Sequence, residues 1–120
     1  MKMKLKLLML CIGLLSTVIP ATAVSAQPAP RRIEISARRS VYTPGEITLK
    51  KGQPVILVLK STDVGHGLRF REFGVNLQVK AGGTAEAQFT PDKTGDFIGH
   101  CSVFCGPGHG SMQITLHVVD

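Results

Sequence analysis

Met112-Gln113-Ile114-Thr115-Leu116-His117-Val118-Val119 repeats with period two: Met112, Ile114, Leu116 and Val118 share one face, and Gln113, Thr115, His117 and Val119 share the other. Strand side chains alternate between faces, so this stretch predicts a β-strand with its aliphatic face inward. The same period recurs upstream. Ile33 and Ile35 alternate with Glu34 and Ser36, Ile47 and Leu49 with Thr48 and Lys50, and Ala85, Ala87 and Phe89 with Glu86 and Gln88. Val55 to Leu59 is an unbroken apolar run of strand length, as expected of a central strand covered on both sides. Turn residues separate these pieces at Thr43-Pro44-Gly45, Lys51-Gly52, Gly82-Gly83 and Thr90 to Gly95. No helical period, internal repeat or long low-complexity segment competes with them. The expectation is an all-β chain folded as a Greek-key β-sandwich.

Asp96 to His100 leads toward the final strand, and between the two lies Cys101-Ser102-Val103-Phe104-Cys105-Gly106-Pro107-Gly108-His109-Gly110-Ser111-Met112. This connection places two thiols, an imidazole and a thioether in one loop, pinned by a strand on each side. Thiolate and thioether are soft ligands that select copper among the first-row metals, and imidazole suits it as well. His66, in Ser61-Thr62-Asp63-Val64-Gly65-His66-Gly67, follows the buried run and is the best remote candidate to complete the set. Asp63 reads either as a turn cap or as the acceptor that orients a ligand. His100 should point away from Cys101 and be exposed, and His117 should be solvated.

Other chemistries use some of these residues. Zinc can take two cysteines and two histidines, but it seldom uses methionine and its common finger spacings differ. A Cys101–Cys105 disulfide suits an exported chain and would leave His109 and Met112 without a role. A cysteine nucleophile would need a base and an oxyanion site, and no such constellation stands out.

Lys2, Lys4 and Lys6 form a positive segment ahead of apolar Leu7 to Ile19, and Val24-Ser25-Ala26 offers a small-residue cleavage site. This is the layout of a secretory signal over residues 1–26, with a single domain over 27–120; a retained membrane anchor is the alternative. Localisation is then periplasmic or otherwise exported. The chain carries 14 basic and 8 acidic side chains; without the three leader lysines the balance is 11 against 8, or +3. No basic run interleaved with aromatics remains, which argues against a nucleic acid partner. Arg31, Arg32, Arg38 and Arg39 read as solvated edge charge or as a docking patch for an acidic partner.

Asp63-x-x-His66 together with Cys101-x-x-x-Cys105-x-x-x-His109-x-x-Met112 resembles the copper A domain of cytochrome c oxidase subunit II, a cupredoxin, over about Pro44 to Val119. The copper domain of nitrous oxide reductase shares the second half of this pattern. The resemblance implies a binuclear site of two copper ions: Cys101 and Cys105 bridge them, and His66 and His109 each bind one. Met112 and the backbone carbonyl of Val103 are implied as weak ligands. It implies electron transfer rather than catalysis, with a redox partner such as a cytochrome or a terminal oxidase or reductase. A copper protein that stores or delivers the ion is the second function compatible with these ligands. Three features depart from the family pattern. The chain has no tryptophan, whereas the family is described as receiving electrons through an aromatic surface residue. Val103 stands where many members have a magnesium-binding glutamate, and the usual transmembrane hairpin is not in this sequence. These departures lead to the expectation of a free-standing or singly anchored module.

Overall fold

The computed structural model describes residues 13–23 and 28–120. The leader lysines, Cys11 and the Val24-Ser25-Ala26 cleavage site lie outside the described residues. Residues 13–23 carry no regular secondary structure, and Leu14, Leu15, Val18 and Ile19 are exposed. Among the described residues no helix is long and apolar enough to cross a membrane.

The described residues form β1 (Arg31–Arg38), β2 (Val41–Thr43), β3 (Glu46–Lys50), β4 (Val55–Ser61), β5 (His66–Phe70), β6 (Val75–Val79), β7 (Thr84–Phe89), β8 (Gly95–His100) and β9 (Gln113–Val119), with short 3₁₀ turns at Arg71–Phe73 and His109–Ser111. One sheet has the order β2-β1-β4-β7 and the other β3-β9-β8-β5-β6. The pairs β1–β4 and β3–β9 are parallel and the rest antiparallel, so the expected all-β sandwich is present.

The period-two faces meet in the interior. Ile33, Ile35, Leu57 and Leu59 from one sheet face Leu49, Leu68, Ile114 and Leu116 from the other, all within one buried cluster. Each such side chain contributes about 1.5–3 kcal/mol by leaving water. Val58, on the other face of β4, is also fully buried, between Glu34 and Glu86 in register. Ion pairs Arg32–Glu86 and Lys60–Glu34 run across that face, so charged side chains with apolar stems provide its outer cover.

The two ends of the sandwich differ. Phe73 packs against Phe89 and Phe97 with ring centroids 5.1 and 4.8 Å apart, and Phe89 lies opposite Val55 at the start of β4. At the other end β4 finishes, β5 begins, and β8 passes into the cysteine loop. β8 is held to β9 at His100–Gln113 and to β5 at Arg69–His100. A single sandwich end therefore receives both the β4–β5 and the β8–β9 connections.

His66 is the first residue of β5, fully buried and paired with Val79. His117 is tied down rather than simply solvated: Nδ1 lies 2.6 Å from Asp96 Oδ1, and Glu46 is 3.8 Å from Nε2. His100 is exposed and Cys101 buried, as strand alternation requires.

Candidate metal centre

Cys101 and Cys105 enter the site from the same loop as free, buried thiols with their sulfurs 3.4 Å apart. The loop is braced at its base, where Cys101 N–H donates to the Met112 carbonyl at 3.3 Å. Gly106 and Gly108 adopt φ of 103° and 83°, a left-handed backbone that glycine enters without penalty. These two turns fold the chain back so that His109 and Met112 reach the thiols. Cys105 Sγ lies 3.5 Å from His109 Nδ1 and 3.6 Å from Met112 Sδ. Cys101 Sγ lies 2.9 Å from the Val103 carbonyl oxygen.

His66 arrives from the start of β5. One ring nitrogen of His66 and the two cysteine sulfurs all lie within 4.8 Å of one another. All six residues singled out in the sequence therefore gather at one end: His66, Cys101, Val103, Cys105, His109 and Met112. Met112, Cys101, Cys105 and His66 are buried, and His109 is half-buried on the outer side.

Asp63 determines how His66 presents itself. Its Oδ1 lies 2.6 Å from His66 Nε2 and accepts the Val64 N–H at 2.6 Å, while Oδ2 accepts the Arg39 N–H at 2.8 Å. Burial pushes the Asp63 carboxyl upward, but the His66 hydrogen bond and the two backbone N–H groups reverse this and hold it down at about 2. An ionised carboxylate only accepts, so Nε2 carries the proton given to Asp63, and Nδ1 is the ring nitrogen left to offer a lone pair to a metal. Nδ1 is buried with no hydrogen-bond partner. Leaving such an acceptor unsatisfied costs about 1–3 kcal/mol, which a bound cation would recover. The donor set therefore fits a soft metal ion, and the unpartnered Nδ1 is the structural sign of it. Asp63 serves both roles considered from the sequence, turn acceptor and orienting group.

The surroundings bear on the competing chemistries. Burial first, then the hydrogen bond and charge of Cys101, push the Cys105 thiol up to about 11. A nucleophilic cysteine needs the opposite shift. With Met112 and the Val103 carbonyl included, the donors exceed the four of a tetrahedral zinc site.

Tyr42, the only tyrosine of the chain, is a site residue that the sequence reading missed. Buried on β2, it donates its hydroxyl to the Gly67 carbonyl, and Gly67 N–H points to Cys101 Sγ at 3.5 Å. Burial, and then the neighbouring Cys101, push its phenol well above the ordinary value. Its signal in the sequence was weak, because β2 has only three residues and nothing in it marks contact with Gly67, 25 positions away.

The family model for the cytochrome C oxidase subunit II periplasmic domain matches residues 28–119. Cytochrome c oxidase subunit 2 of Thermus thermophilus is 29% identical over 103 residues, covering 84% of this chain and 76% of the relative. A probable cytochrome c oxidase subunit 2 of Streptomyces avermitilis is 38% identical, covering 60% of this chain and 23% of the relative. Nitrous-oxide reductase of Cupriavidus necator is 32% identical, covering 72% of this chain. This chain spans only 14% of that reductase's length. Among solved structures, the periplasmic domain of subunit II (CoxB) of Bradyrhizobium japonicum superposes with a TM-score of 0.70 at 22% identity, covering 79% of this chain and 88% of that one. Dithionite-reduced auracyanin of Roseiflexus castenholzii superposes at 0.65 and 20% identity, covering 78% of this chain and 100% of that one. The shared fold is that of the cupredoxins.

Proposed function

The chain belongs to the family of the cytochrome c oxidase subunit II periplasmic domain, and from that premise we propose that it is a single-electron carrier built around two copper ions. Residues 1–26 would act as the export leader and 27–120 as the carrier domain. The observation that carries this reading is the buried, unpartnered Nδ1 of His66 beside two free thiols. Cys101 and Cys105 would be the shared thiolates, with His66 and Met112 on one ion and His109 and the Val103 carbonyl on the other. The number of donors supports two ions, since one ion has no use for two thiolates, two imidazoles, a thioether and a carbonyl together. When bound, such a pair supplies a one-electron couple whose bond lengths change little between oxidation states.

The protein's own residues do the rest. Asp63 keeps the His66 proton on Nε2 and fixes the ring. Gly67 N–H, anchored through Tyr42, holds a hydrogen bond toward Cys101 Sγ and limits its movement. Leu68 and Ile114, which follow His66 and Met112 on the same faces of their strands, are buried, so the interior side of the site is apolar. Electron transfer needs ligands that do not rearrange, and these ligands are braced from both sheets. Such bracing favours retention of copper over delivery, and the partner would be a cytochrome or a terminal oxidase or reductase.

Copper analysis through repeated oxidation and reduction, in the presence of a competing copper chelator, separates the carrier from a delivery protein. A carrier keeps two coppers per chain through every cycle. Release of copper to the chelator in each reduced phase would identify a delivery protein instead.

A further inference from the structure

β1 separates the four amino-terminal arginines into two pairs. Arg31 Nη1 donates to the Thr48 carbonyl at 2.8 Å, and Arg32 pairs with Glu86, so the first pair is engaged. Arg38 and Arg39 lie at the other end of the strand, roughly 20 Å away at ~3.3 Å per residue. Both are exposed, and neither joins an ion pair among the described residues. Their turn rests on the metal loop: Ser40 Oγ donates to the Pro107 carbonyl at 2.5 Å, and Arg39 Nε is 4.0 Å from where a Cβ on Gly106 would lie. Across the loop, exposed Lys80, also without an ion pair, lines a shallow depression with Val103.

Phe104 lies in the loop between these two sides. It is 80% exposed, although its ring packs at 5.5 Å against the ring of His109. A large apolar side chain standing in water on a braced loop, with cations at the margin, has the composition of an interface: apolar centre, polar rim. The acid at this end, Asp63, is already engaged by His66 and two backbone N–H groups. Its single negative charge is outnumbered by exposed Arg38, Arg39 and Lys80, so the balance there is positive.

The geometry points to this end as the docking surface for an electron-carrier protein with an acidic contact face, Phe104 filling the centre and Arg38, Arg39 and Lys80 meeting the carboxylates. This surface rests on the electron-transfer reading and adds the kind of partner to it. The packing of Phe104 on His109 brings the partner against a ligand of the site. Charge at the rim governs how fast partners meet and which ones are turned away.

The test uses the full chain, labelled with ¹⁵N, in metal-free and copper-loaded forms. It is titrated with lysine-succinylated cytochrome c, which is acidic, and with unmodified basic cytochrome c. Amide shifts should gather at Arg39, Lys80, Phe104 and Gly106 with the acidic form, and weaken between low ionic strength and about 0.15 M salt. Phe104→Ala should weaken binding about tenfold or more. The double variant Arg38→Gln, Arg39→Gln should slow association about tenfold, and both variants should keep normal copper content. Shifts elsewhere, equal binding of the basic form at this surface, or unchanged binding by Phe104→Ala overturns the proposal. Because docking is read with and without copper, its failure with normal copper content leaves the electron-transfer reading intact. Docking by a protein that cannot hold copper would count against that reading alone.

Discussion

His66 makes opposite demands on its two ring nitrogens: Nε2 is committed to Asp63, and Nδ1 is left for the metal. Orienting partners of this kind typically govern metal affinity by 10–100-fold. Asp63→Asn should therefore lower copper affinity about 10–100-fold while leaving the copper stoichiometry unchanged, as read by titration against a chelator. Unaltered affinity would mean that the carboxylate only caps its turn. Met112 calls for a gentler expectation. The thioether is a weak ligand, and Met to Leu conserves volume, costing less than about 1.5 kcal/mol in a core. Met112→Leu should keep both coppers and move the reduction potential, measured by spectroelectrochemistry; loss of all copper would show that the thioether holds the site together. The cysteine loop was legible in the sequence because its ligands are local and chemically distinctive. The second-layer contacts of Tyr42, Ser40 and Gly67 were not, because each is made across the fold and their residue types are common in any turn or strand.

At the scale of strands, the pattern of β9 was readable from its alternation, and so were β1, β3, β4 and β7. β5 was not recognised: buried His66 replaces an aliphatic residue at the start of the face it shares with Leu68 and Phe70, and Gly67 gives the other face no side chain to read. That glycine has a structural reason. A Cβ on Gly67 would lie 2.2 Å from Ser102 Oγ and 3.0 Å from the backbone nitrogens of Ser102 and Val103, so β5 passes directly under the metal loop. Gly67→Ala should cost about 1–3 kcal/mol by overpacking and weaken copper binding by displacing the loop. Denaturant unfolding of the metal-free variant and a copper titration measure the two effects; wild-type values in both would mean the loop yields freely.

β9 is also stitched to its neighbours by His117, whose pKa is raised from 6.5, mainly by the hydrogen bond to Asp96 and with a smaller effect of Glu46. A folded-state value above the unfolded one stabilises the fold at pH below 6.5, and that contribution is lost as pH rises through the folded value. The stability difference between wild type and His117→Gln should thus be largest in mild acid and shrink toward alkaline pH, followed by denaturant unfolding across the range. A gap that grows with pH would contradict this.

Over the whole molecule, the ligands reach the site from the start of β5 and from the loop joining β8 to β9, all in the five-stranded sheet. Bound copper would therefore tie β5 to that loop at the end opposite the Phe73–Phe89–Phe97 cluster. A ligand that binds only the folded state stabilises it by about 4 kcal/mol at a thousand times its dissociation constant. Copper should accordingly raise the melting temperature of the intact chain, and Cys101→Ser should abolish most of that rise while leaving the metal-free fold near its original stability. The fold class could be read from periodicity and the family from two short motifs. The direction of the charged surface could not, because Arg31 and Arg38 look alike in sequence and are separated only by the length of β1.

The central claim is that Cys101 and Cys105 hold a pair of coppers as one redox unit. Electron paramagnetic resonance of the oxidised protein, taken with its copper content, tests this most directly. Two coppers per chain with one unpaired spin shared over both nuclei is the predicted result; a single copper with a mononuclear spectrum would contradict it.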